Sequence, residues 1–416
     1  MPRGITDWIE GTGRAIGARF DQFDVLLFTA GIWFLAKFLR YAFPPLFEEL
    51  QGVYDVSVAA LGTAFTGFML VYAAMQFPSG AVADRVGPVR VITAGALVAA
   101  VGALAVILGG PFGLLVAAML VMGAGTGAHK TVAIQLLSRT YPSRTGRALG
   151  IFDTLGTFGG VVAPLVVAAV VGARLGGVGW RTVFLAVGTV GAILAVLFVF
   201  RVSEKQPRST GGQSPTRSIR GYVAPFRSPR LATFVVVTLG FSFAYNGVVA
   251  FLPLFLSQEV GLSTAVASLL YSLFFVVSVV QLGSGELSDR IGRLPVIAGA
   301  LAIATLSLGL LLVLGDELGR TGVLAGATLA VVGIGTGSHG FRPVRGAHLT
   351  ALLPEKVAGG GLGVVRTGLM GAGAIAPAVV GTVADVTGSF RPAFVLLLGA
   401  LGLAALLALA LFATDR

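Results

Sequence analysis

The sequence has no cysteine among its 416 residues, which excludes disulfides, iron–sulfur centres and thiol chemistry. Charge is scarce as well. Asp, Glu, Lys and Arg make up 11% of the chain, whereas soluble domains carry about a quarter. Histidine occurs only at His129, His339 and His348, positions too dispersed in sequence to suggest a metal site. No cleavable signal is evident: residues 1–20 interleave Arg3, Arg14 and Arg19 with Asp7 and Glu10 and have no apolar core. They read as a short cytoplasmic lead.

Apolar residues are plentiful, at 56% of the chain with a mean hydropathy of +0.92. Such a chain faces a solvent other than water. A spanning helix needs about 20 apolar residues, and twelve of them would use most of this length. Apolar runs fall near 25–46, 58–82, 91–109, 112–137, 148–171, 182–200, 231–256, 264–287, 294–314, 322–350, 361–384 and 392–413. The 60 glycines fit close helix–helix approach in lipid. The expected fold is all-α and transmembrane, with residues 1–20 as N-terminal segment, 21–200 and 231–416 as two six-helix halves, and 201–230 as a linker. That linker is polar and holds Pro207, Pro215, Pro225, Pro229, Gly211 and Gly212.

The net charge of +11 would suggest nucleic acid in a soluble protein, but loop bias explains it better. The termini and even-numbered loops hold 19 Lys and Arg, the opposite loops hold Arg174, Arg181, Arg320 and Arg391, and six more lie within the spans. By the positive-inside rule both termini are cytoplasmic, in a multi-pass protein of the plasma (inner) membrane.

The two halves repeat. Gln76, Gly80, Asp84, Arg85 and Gly87 recur as Gln281, Gly285, Asp289, Arg290 and Gly292. Gly123-Ala-Gly125-Thr-Gly127-Ala-His129 recurs as Gly333-Ile-Gly335-Thr-Gly337-Ser-His339, and Gly160 and Pro164 recur as Gly373 and Pro377. Transporters are commonly built from such repeats. The strings Gly80-x-x-x-Asp84-Arg85-x-Gly87 and Gly285-x-x-x-Asp289-Arg290-x-Gly292-Arg293 resemble the signature of the major facilitator family. The first copy departs from it, with Pro88-Val89-Arg90 where the pattern prefers paired basic residues. The resemblance covers roughly residues 20–413. It implies two pseudo-symmetric bundles around a central cavity that opens alternately to each side, in a protein acting as a monomer. It also implies that Asp84 and Asp289 help latch the cytoplasmic side; plain positive-inside loop charge is the blander alternative.

Charged residues inside spans cost at least about 2.5–3.5 kcal/mol each and mark function by default. The basic ones are Lys37, Arg40, Lys130, Arg342, Arg345 and Arg366, and Asp153 is the acidic one well inside a span. Lys37 and Arg40 share a helix face, and Lys37 lies about 20 Å along the helix from Asp24. Phe43-Pro44-Pro45 should end the first helix beyond Arg40. Gly340 and Pro343 should break the tenth, which carries His339, Arg342 and Arg345. Candidate solute-binding residues are therefore Lys37, Arg40, His129, Lys130, His339, Arg342 and Arg366. Snorkelling to the interface is the alternative for Lys130. Asp153 is a candidate for proton coupling or for a permanent ion pair. Trp33, Phe34, Tyr72 and Tyr245 line a cavity or simply pack.

An excess of cations favours an anionic solute, which Arg can hold bidentately. The leading expectation is a secondary transporter of a small anion, with the proton as candidate coupling ion. Proton-driven drug efflux is the alternative, set back because an adjacent Gly-Pro is absent from the fifth span. No P-loop or soluble output domain is present to suggest an ATPase, enzyme or sensor, and the repeat argues against a channel. Expected partners are a small-molecule solute and membrane lipid, with no nucleic acid, cofactor or metal.

Overall fold

The computed structural model describes the backbone of residues 3–173, 179–202, 227–352 and 358–414, and the side chains in these ranges apart from 3–22, 316 and 358–364. Most of the inferred linker, 203–226, and Arg174 lie outside the described residues. The described chain is helical, with no strand. Among the described residues, twelve helices are long and apolar enough to span a membrane: α1 Phe23–Tyr54, α2 Val58–Val86, α3 Pro88–Leu108, α4 Phe112–Thr140, α5 Thr145–Gly172, α6 Gly179–Arg201, α7 Pro229–Glu259, α8 Thr264–Ile291, α9 Arg293–Leu312, α10 Gly319–Leu352, α11 Val365–Thr387 and α12 Phe390–Thr414. Leu108, Leu282 and Leu306 remain 74–80% exposed on helix surfaces, positions that suit lipid and not water.

Two helices run on where the sequence suggests a break. α1 continues through Pro44 and Pro45 to Tyr54, and α10 continues through Pro343. Each proline withholds one backbone donor and costs about 3 kcal/mol in a helix interior. Packing offsets this. Phe43, Leu46, Phe47 and Leu50 are at most 1% exposed, as are Phe341 and Val344 beside Pro343. Within a bilayer that gain comes from close van der Waals contact between the side chains, and not from removal of water.

The signature loops have a backbone cause. Gly87 and Gly292 follow the ends of α2 and α8 at φ 96° and 93°, a region costly for any residue with a Cβ. Each amide closes back on its helix, Gly87 to Ala83 and Gly292 to Ser288. Their recurrence in the sequence is the same turn made twice.

Contacts group the chain into two compact units. The first comprises Met1–Arg40, Ala74–Gly159 and Arg181–Gly212. Here α3 and α4 cross closely: a Cβ on Gly125 would overlap the backbone of Gly95 and Ala99. The second comprises Tyr41–Ala73, Gly160–Trp180 and Gln213–Arg416. In it α9 and α10 make the matching crossing, where Gly337 abuts the backbone of Ala300 and Ala304. The contact uses Gly337, two residues beyond the glycine that sequence matching pairs with Gly125.

Candidate functional site

In the first unit, Trp33 of α1 is 2% exposed and forms the centre of a cluster. Its ring stacks on Phe152 of α5 at 5.7 Å and on His129 of α4 at 6.1 Å. Gly156, one turn beyond Phe152, makes room for the indole, since any Cβ there would overlap it. Two ammonium groups lie over the same ring, Lys37 at 5.2 Å and Lys130 at 5.1 Å from its centre. Both are within cation–π reach. The Lys130 ammonium also stands 3.2 Å from an Asp153 carboxylate oxygen. Thus α1, α4 and α5 bring two cations and one anion to one aromatic surface. Arg40 lies half-buried one turn along α1 from Lys37.

His129 is 1% exposed, and its Nε2–H donates to the Thr29 carbonyl at 2.9 Å. It supports Trp33 from behind and offers no open face to a solute in this structure.

The second unit holds a related arrangement. Tyr245 of α7 takes the place of Trp33, and His339 of α10 stands edge-on to it at 6.0 Å. The Arg342 guanidinium lies 5.6 Å over the Tyr245 ring, with Nη1 3.5 Å from His339 Nδ1. His339 is buried and also packs on Phe274 at 5.1 Å. Each unit therefore repeats one plan: an aromatic ring on the first helix of its half, with a buried histidine and a cation from the fourth helix against it. Arg345 lies over Phe341. Arg366 is exposed near the start of α11. His348 is buried against Phe234 and lines a polar groove with Arg230, Asp289 and Arg293.

The signature residues serve the loops. Gln135 of α4 donates to Asp84 at 2.6 Å, and Arg139 approaches the same oxygen at 3.7 Å. Arg290 pairs with Glu286 one turn back on α8. Arg85, Asp289 and Arg293 are exposed, and Gly80 and Gly285 are half-buried near the ends of their helices. Among the described residues no group of three or more His, Cys, Asp or Glu is placed to hold a metal ion.

A family described as Major Facilitator Superfamily matches residues 29–340, three-quarters of the chain. The chain belongs to the Major Facilitator Superfamily. It is thus a multi-pass membrane transporter, and not an enzyme. A probable sulfoacetate transporter of Cupriavidus necator is 28% identical over 390 residues, covering 88% of this chain and 87% of the relative. A hexuronate transporter of Bacillus subtilis is 26% identical, covering 94% of each chain. Among solved structures, a bacterial homologue of the lysosomal transporter Spinster superposes with a TM-score of 0.74 at 19% identity, covering 95% of this facilitator and 98% of that chain. That similarity establishes the twelve-helix fold.

Trp33 was legible only as one aromatic residue among several. Its central place in the cluster follows from the space left at Gly156, a glycine that belongs to neither signature loop.

Proposed function

We propose that this transporter moves a small organic anion by alternating access, coupled to protons. The observation that carries the proposal is the pair of lysine ammoniums over Trp33, with one carboxylate, Asp153, against them. Two cations inside membrane-spanning helices are expensive unless they serve a partner. Asp153 stabilises Lys130 while the site is empty. An incoming carboxylate or sulfonate takes over that role, and protonation of Asp153 releases Lys130 to the solute. Tyr245, His339 and Arg342 make the corresponding provision in the second half of the chain. The names of the two relatives, a sulfoacetate and a hexuronate transporter, are in keeping with an anion. The bias of Lys and Arg supports a cytoplasmic side for both termini and both signature loops. The halves 21–200 and 231–416 are the repeated transport units.

A proteoliposome uptake screen tests the proposal, using labelled sugar acids and sulfonates beside cationic dyes, with and without a pH gradient. Anion uptake that rises with an inward proton gradient is the expected result. Preferential movement of cationic dyes, abolished in Asp153→Asn, would replace the anion assignment with proton-driven drug efflux.

A further inference from the structure

Every helix begins with four backbone N–H groups that have no partner within the helix. At the start of α2 they are satisfied in two ways. Ser57 accepts locally from the Ala60 amide at 3.2 Å. Asp385, near the end of α11, accepts from the Val58 and Ala59 amides at 3.0 and 2.8 Å. Those two bonds join residues 327 and 326 positions apart and exist only while α2 and α11 are together. The carboxylate also meets the positive end of the α2 dipole.

The contact extends along both helices within the second compact unit. A Cβ on Gly381 would overlap the Val58 backbone, and one on Gly62 would overlap the Pro377 carbonyl. One turn further on, the Ala378 amide donates to Thr66 Oγ1 at 3.0 Å. The end of α1 makes a parallel link to the start of α8, where Thr264 Oγ1 donates to Glu48 at 3.1 Å. The α2–α11 seam is thus backbone against backbone, with glycine on both sides. Surfaces of that kind part without repacking large side chains. The seam lies at the end of α2 remote from the signature loop, which follows Val86.

We propose that Asp385 is a releasable cap: the α2–α11 seam parts at this end during the transport cycle, and Asp385 sets how often it does so. Ser57 caps α2 equally in both states and does not bias them. Asp385 caps α2 only in the closed one. Removing it selectively favours the open state.

The natural absence of cysteine allows a clean test. Met69, 6% exposed and on the face of α2 that carries Gly62 and Thr66, is replaced by cysteine, and its labelling by a membrane-impermeant maleimide is timed in intact membranes. Asp385→Ala should speed labelling about 5- to 30-fold, the range for loss of a helix cap. Asp385→Asn, which keeps an acceptor without the charge, should fall between. Ser57→Ala should leave the rate unchanged. Thr66→Val, which removes the Ala378 bond at nearly constant volume, should also speed labelling and serves where Asp385→Ala is not inserted. Unchanged labelling in Asp385→Ala, or in Thr66→Val where that variant stands in, overturns the proposal. An equal increase in Ser57→Ala does so too, because it would mean general loosening of α2.

Discussion

Adding one methyl group at Gly156 should disable the anion site without touching any charge. The new Cβ would overlap the Trp33 indole edge, and the ring is backed by Phe152 and His129. Carbon atoms in contact need about 3.5–4.0 Å, so the ring or α5 has to recede by about 1.5 Å. Lys37 and Lys130 stand 5.2 and 5.1 Å from the ring centre, and cation–π attraction extends to about 6 Å. A shift of that size takes both ammoniums to the limit of the interaction. Each contact contributes about 0.5–2 kcal/mol, and overpacking adds about 1–3 kcal/mol of strain. Gly156→Ala should therefore weaken anion binding at least about tenfold and lower the unfolding temperature of the purified protein. Saturation binding and a thermal melt in detergent measure both. Gly150→Ala on the same helix meets nothing within 4 Å and should change neither. Wild-type affinity and stability in Gly156→Ala would refute the claim that Trp33 is a fixed platform for the two lysines.

Gly87→Ala and Gly292→Ala should each cost about 1–2 kcal/mol of stability, because both positions hold left-handed backbone. Thermal melts should show two similar decreases. Gly125→Ala and Gly337→Ala should be more damaging, since the neighbouring atoms are backbone and cannot turn aside. The yield of folded protein after size-exclusion chromatography reads this, against Gly113→Ala, which has open space around it. Lys37→Ala and Arg342→Ala should each abolish anion binding while the protein still inserts and melts cooperatively. Loss of membrane expression in both would instead assign these side chains to folding.

All twelve spans were legible because composition and run length decide spanning helices before packing does. The signature loops were legible for a related reason. Gly87 and Gly292 are demanded by local backbone geometry, which leaves a repeat in the sequence. Tertiary burial was not legible. The pair Pro44-Pro45 reads as a helix end, yet α1 continues past it with the rings of Phe43 and Phe47 fully buried. His129 reads as a solute ligand because it sits beside Lys130 inside a span. Its bond to the Thr29 carbonyl joins residues 100 positions apart, and no local pattern reveals it. Asp385 leaves no trace in the sequence for the same reason, since its partners are backbone amides of α2 far away in the chain. The charges in the spans were visible one by one. Their gathering on Trp33 depended on the space left by Gly156.

The central claim is that an anion is held by the lysines over Trp33, and equilibrium binding tests it most directly. A labelled hexuronate and a labelled small sulfonate are titrated into purified wild type, Lys37→Met and Lys130→Met. The account predicts saturable binding of at least one anion to the wild type and its loss in both variants, with folding retained. Undiminished anion binding in the two variants would contradict it.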